Sequence, residues 1–118
     1  MNVNELIETI FANFTVDDVA IPVSYMFYDG HENTYITYFQ QDADDALSGD
    51  DELLNYIAYY DFDVYSKGNY QKIVESMKKV LKDNGFVWQV SMSSPDMYEP
   101  DTGLYHKTLN FAFLMEEK

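Results

Sequence analysis

The stretch Leu53–Phe86, LLNYIAYYDFDVYSKGNYQKIVESMKKVLKDNGF, decides how the chain is read. Its first half alternates with period two. Tyr56, Ala58, Tyr60, Phe62 and Val64 take one side; Ile57, Tyr59, Asp61, Asp63 and Tyr65 take the other. That alternation predicts a strand with one face buried and one face wet. Ser66-Lys67-Gly68-Asn69 interrupts it with turn residues, and Asn69 is placed to cap a helix. Tyr70, Ile73, Val74, Met77, Val80 and Leu81 then recur at helical spacing, with Lys72, Glu75, Lys78, Lys79 and Lys82 opposite. Asn84-Gly85 supplies a left-handed stop. One strand and one helix thus offer matching apolar faces.

Outward from this unit, residues 2–14 read as a first helix with Val3, Leu6, Ile7, Ile10, Phe11 and Phe14 inward. Asn2 and Glu5 form the pattern of a capping box. Residues 21–28 read as a first strand, with Pro22 at a strand start or sheet edge. The loop around Gly30 predicts a hairpin to a second strand, residues 34–40, paired antiparallel. Residues 86–92 predict a fourth strand and residues 104–115 a fifth. Between them, residues 93–103 form a loop stiffened by Pro95 and Pro100. The predicted fold class is α+β, in the order α-β-β-β-α-β-β. It is an antiparallel sheet with two helices packed on one face, in a single domain spanning 1–118.

Residues 41–52, QDADDALSGDDE, break the composition: six of the twelve are acids. They predict an exposed, mobile loop. Asp42, Asp44, Asp45, Asp50, Asp51 and Glu52 are its candidate interaction residues. A calcium loop needs acids at its first, third and fifth positions. A start at Asp42 puts Ala46 fifth, and a start at Asp44 puts Ala46 third, so no metal is expected here.

The charge over the whole chain is lopsided. Twenty-one acids face 7 bases, all of them Lys, for a net charge of −14. Such a surface repels nucleic acid and anionic membranes, so neither tight DNA binding nor membrane binding is expected. The absence of Arg removes the planar fork that recognises phosphate. With no Cys, thiolate nucleophiles and thiolate metal sites are excluded. Asp61 and Asp63 point the same way, but a solvated face with Lys neighbours explains them without acid-base chemistry. Two His residues make no zinc signature, and no G-x-S-x-G nucleophile turn occurs. No enzyme activity and no cofactor are expected. The first residues, MNVNELIETIF, lack the basic start of a signal peptide, and the protein is expected to work inside a cell.

Two runs carry a family resemblance. Tyr98-Glu99-Pro100-Asp101-Thr102-Gly103-Leu104-Tyr105-His106-Lys107, followed by an apolar strand, resembles the closing hairpin of small phage tail-completion proteins. Tyr59 to Lys67, ending Asp63-Val64-Tyr65-Ser66-Lys67 before a helix, resembles their central strand. The order of elements is similar along nearly the whole chain. The family is that of tail terminator and tail completion proteins of long-tailed phages and prophages, lambda-terminator-like in outline. The resemblance implies a non-enzymatic ring, commonly a hexamer, that caps the tail tube and meets the head connector. Its implied partners are copies of itself, the tail tube protein and the connector protein. Its implied location is the host cytoplasm during assembly and then the virion tail. Tyr98, Glu99, Asp101, Tyr105 and His106 are the expected subunit contacts, and the acidic segment the expected lumen or docking rim. Charge repulsion would hold copies apart until they meet the tube. The competing expectation is an acidic DNA mimic that occupies a host DNA-binding protein. A mimic needs its carboxylates on a rigid surface, and a flexible acidic loop does not supply one.

Overall fold

A computed structural model of the chain describes residues 2–49 and 52–116 and has a mixed α+β architecture. The first helix, α1, spans Val3–Ile10. The Asn2 side chain accepts from the Glu5 amide at 2.8 Å and donates to the Glu5 carboxylate at 3.2 Å, which secures the first turn. The helix stops short of the predicted residue 14, yet Phe11 and Phe14 remain buried on the turn that follows. Two short strands, β1 (Thr15–Val16) and β2 (Val19–Ala20), then form a tight hairpin. Asp17 and Asp18 turn it with φ of 52° and 66°, the left-handed pair that a two-residue hairpin loop requires.

The main sheet contains β3 (Val23–Tyr25), β4 (Tyr35–Gly49), β5 (Glu52–Ser66), β6 (Val87–Gln89), β7 (Met97–Glu99) and β8 (Leu104–Glu116). The strand order is β3-β4-β5-β8-β6, with β7 also paired to β8. The second helix, α2 (Gln71–Asp83), links β5 to β6. The Asn69 side chain accepts from the Gln71 amide at 2.9 Å at its start. Gly85, with φ of 92°, turns the chain so that Phe86 enters the core.

Four sequence expectations are corrected. β3 pairs with β4 in parallel, not as an antiparallel hairpin. With β3 only three residues long, the loop between them has a short distance to travel back before β4 begins. Within the acidic stretch, residues 41–49 and Glu52 are strand where a loop was expected: β4 runs to Gly49 and pairs antiparallel with β5 from Tyr35↔Tyr65 to Gly49↔Glu52. Asp50 and Asp51 lie outside the described residues. The predicted strand 86–92 is a strand only over Val87–Gln89 and then tightens into a 3-10 turn over Val90–Met92. The loop 93–103 contains β7.

The core is built from alternate strand positions and both helix stripes. Ile36 and Tyr38 of β4, Ala58, Tyr60, Phe62 and Val64 of β5, and Leu109 and Phe111 of β8 form one buried cluster. Val3 and Ile7 of α1 and Ile73, Val74, Met77 and Leu81 of α2 belong to the same cluster. Phe62 sits at its centre, fully buried, with the rings of Phe11, Tyr38, Phe86 and Phe111 around it at 5.6–6.5 Å.

The long β4–β5 hairpin gives the molecule its shape, 52 Å along one axis against 26 and 24 Å along the others. β3 covers β4 only over Ile36–Tyr38, and β6 covers β8 only over Asn110–Ala112. Beyond these points β4, β5 and β8 continue as a three-stranded arm. Among the described residues nothing pairs with its two outer edges.

Candidate functional site

The arm is the first candidate surface. A register shift between Gln40 and Asp42 resets the alternation, so that Asp42 lies opposite Tyr59 and Asp44 opposite Ile57. Ile57 in turn lies opposite Leu114. Asp42 and Asp44 therefore share the coreless face of the sheet with Tyr59, Ile57 and Leu114. Both aspartates are exposed, and Leu114 is 51% exposed. Asp45 and Glu52 lie on the same hairpin, with Asp45 opposite Tyr56 and Glu52 opposite Gly49. The acids read from sequence as a mobile group are thus carried largely on a paired ribbon.

The coreless face nearer the body is polar and well connected. His106 places Nε2 at 3.2 Å from an Asp63 carboxylate oxygen and Nδ1 at 3.3 Å from Glu99. The Thr108 hydroxyl donates to the same Asp63 oxygen. Asn110, almost wholly buried, donates from Nδ2 to Asp61 at 2.8 Å, while its Oδ1 has no hydrogen-bond partner among the described residues. Burial raises the Asp61 carboxyl above the usual range; the Asn110 hydrogen bond opposes this and the Asp63 charge adds to it. Lysine neighbours, expected from the sequence for Asp61 and Asp63, are replaced by His106, Thr108 and Asn110. Beside this network four aromatic rings stack in series, Tyr28 on Tyr35, Tyr35 on Tyr65 and Tyr65 on His106, with centroids 4.2–4.8 Å apart. Gly30 makes room for the first of them, because a Cβ there would lie 2.1 Å from the Tyr28 hydroxyl. Burial, with Asp63 and Glu99 nearby, pushes the Tyr65 hydroxyl up to about 12.

This network can clamp strands, and Asp61, Asp63 and His106 line none of five surface cavities formed by the described residues. Among the described residues no three of His, Cys, Asp and Glu are grouped to hold a metal ion. No helix among them is long and apolar enough to cross a membrane.

The closing hairpin splits its predicted contact residues between two faces. Tyr98 and Tyr105 are cross-strand partners with rings 5.0 Å apart, both about half exposed. Glu99 and His106 face the polar network instead. Asp101 is exposed in the turn between β7 and β8. Tyr105 also lines a cavity of about 440 Å³ with Lys67, Gly68, Asn69, Tyr70 and Asp96. There the Tyr70 hydroxyl donates to Asp96, and Lys107 lies 3.3 Å from the same carboxylate. The Tyr70 hydrogen bond, then Lys107, holds Asp96 below the usual carboxylate range.

Two further exposed surfaces were not singled out by sequence. Tyr25, Met26 and Phe27 are consecutive and exposed, and Met26 carries a φ of 70° at the centre of a turn closed by Phe27 N–H to Tyr25 C=O at 2.8 Å. On the core side of the sheet edge, a cleft of about 350 Å³ opens between α2 and β6, lined by Lys78, Lys82, Phe86, Val87, Trp88 and Phe111. The Lys78 ammonium sits 3.6 Å from the Trp88 ring centroid. Helical periodicity identified the lysines as a solvated face, and Trp88 falls within the predicted strand 86–92. What the sequence did not show is that α2 leaves a gap over β6.

No family model matches this chain, and no curated protein matches it.

Proposed function

We propose that this chain is a structural assembly protein of the phage or prophage tail-terminator kind. It joins copies of itself into a ring, caps the tail tube and presents the surface that meets the head connector. The observation that carries the reading is the three-stranded arm: a ribbon whose two outer edges pair with nothing among the described residues, set on a body whose helices pack into a single core. The reading takes both helices to cover one face of the sheet, leaving the arm and the polar face free for neighbours. Open strand edges and half-exposed tyrosines suit subunit contact, and a head-to-tail contact closes into a ring of fixed number by geometry. The family resemblance of the Tyr59–Lys67 and Tyr98–Lys107 runs supports it further. The open polar network is read as a brace between β5 and β8, not as catalytic machinery.

The test is electron microscopy of the purified protein alone and with tail tubes. Rings of uniform size, or caps at tube ends, are expected. Protein that forms neither, at any salt concentration, refutes the reading.

The DNA-mimic alternative gains from one observation. Asp42 and Asp44 stand on a paired strand, so the flexibility that argued against a mimic does not apply to them. Capture of a host repressor or nuclease that DNA then displaces would favour the mimic over the ring.

A further inference from the structure

Resting on the ring reading, we propose which two surfaces meet: the acidic face of the arm in one copy seats in the Lys78–Lys82–Trp88 cleft of the next. The argument begins with where the positive charge lies. Four of the seven lysines stand on α2. Lys72 is held by Asp17 at 3.0 Å and Lys79 by Asp83 at 3.3 Å. Among the described residues Lys78 and Lys82 make no ion pair. They rim an apolar cleft in which Trp88 is 37% exposed and Val87 60% exposed. A surface of this kind fits a segment that brings apolar side chains flanked by carboxylates.

The chain carries such a segment. On the arm, Ile57, Tyr59 and Leu114 form an apolar strip, and Asp42 and Asp44 flank it. The complement extends to both charge and hydrophobicity: two lysines without an ion pair among the described residues beside an indole, two exposed aspartates beside an isoleucine and a leucine. The same molecule cannot join its own two surfaces. Trp88 shares the core face with its cross-strand partner Phe111, whereas Asp42, Asp44, Ile57 and Leu114 stand on the opposite face. Surfaces on opposite faces of one sheet make a head-to-tail contact between copies, the class of contact from which rings are built. On seating, the strip would exclude water from Trp88, and the lysines would exchange water for carboxylate partners at the rim.

Charge exchange tests the pairing, read by sedimentation velocity at moderate salt and by the emission of Trp88, the chain's only tryptophan. Lys78→Glu with Lys82→Glu leaves two acidic surfaces, and Asp42→Lys with Asp44→Lys leaves two basic ones. Each double variant alone should associate at least ~10-fold more weakly than the wild type, with Trp88 emission staying at the free-chain wavelength. An equimolar mixture of the two should associate again and shift the emission to the blue, because each then offers the surface the other lacks. Circular dichroism establishes that both variants are folded. If the two variants remain apart when mixed, or each forms rings alone as the wild type does, the pairing of surfaces is wrong. In the second case the ring reading survives. If the wild type itself never associates, both fail together.

Discussion

Replacing Asp61 with asparagine should make the protein more stable at neutral pH. Asp61 is half-buried on β5, and burial raises its carboxyl pKa, so the ionised form present at pH 7 is disfavoured in the fold. Among the described residues its one side-chain partner is Asn110, itself buried, which donates to it while its own Oδ1 has no donor there. A carboxylate has no hydrogen to offer that oxygen; an amide at position 61 has two. The substitution therefore removes a disfavoured charge beside Asp63 and supplies the missing donor. An unsatisfied buried acceptor costs about 1–3 kcal/mol. Asp61 is only partly enclosed, so the expected gain is near the lower limit, about 1 kcal/mol, or ~3–5 °C in Tm for a chain of this size. The pH dependence follows from the sign of the shift. A carboxyl whose pKa is raised on folding binds its proton more tightly in the native state, so the native wild type gains stability as pH falls through that pKa. Protonated Asp61 can also donate to Asn110. The advantage of Asp61→Asn should thus shrink as pH falls from 7 toward 4. Urea unfolding at both ends of this range measures it. A variant less stable than wild type at pH 7, or an advantage that does not change with pH, refutes the reasoning.

Phe62→Ala removes the fully buried ring at the centre of the aromatic cluster and should cost about 3–5 kcal/mol, read as a lower urea midpoint. Asp18→Gly relieves a left-handed φ of 66° in the β1–β2 turn and should raise stability by about 0.5–1 kcal/mol in the same assay. Alkaline pH should destabilise the fold from about 10 upward. Burial pushes the hydroxyls of Tyr60 and Tyr65 up to about 12, so the native state keeps protons that the unfolded chain releases between pH 10 and 12. After discounting for solvent screening, each is worth no more than about 1–2 kcal/mol. Tyrosinate absorbance should rise in step with unfolding, and Tyr60→Phe should flatten the alkaline slope.

The alternation around Phe62 and the stripe of α2 were legible because each rests on local periodicity that packing only reinforces. Phe62 and Val64 point inward and Asp61 and Asp63 outward, as the period requires. The parallel β3 was not legible. Gly30 reads as a hairpin glycine, but it serves instead to admit the folded-back Tyr28 ring. The acidic stretch misled for a different reason. Composition argues for solvation, and solvation does not forbid a strand whose carboxylates point to water. One signal was available: a central strand running from residue 53 to 65 needs a partner of similar length, and the second predicted strand, ending at residue 40, was too short to supply it. The polar network was half legible, since His106, Thr108 and Asn110 stand at alternate positions of the predicted last strand and so share one side of it. Which residues of β5 they meet depends on register, and register is a property of the assembled sheet.

A chain of net charge −14 has to be reconciled with self-association. Two electrostatic effects of opposite sign act at different distances. Repulsion between whole copies sums over charges spread along a 52 Å molecule, and most of those pairs lie farther apart than the ~10 Å screening length at 0.1 M salt. Added salt therefore removes repulsion early. The attraction of Lys78 and Lys82 for Asp42 and Asp44 would act on contact, at the rim of an apolar strip that excludes water, where screening is weaker. Copies would be held apart at low salt and drawn together at moderate salt, before high salt erodes the contact itself. Placing the acids on a projecting ribbon is what separates the two effects. Were Asp42 and Asp44 on the body beside α2, they would neutralise the lysines within one chain and leave the cleft without a charged partner to recognise.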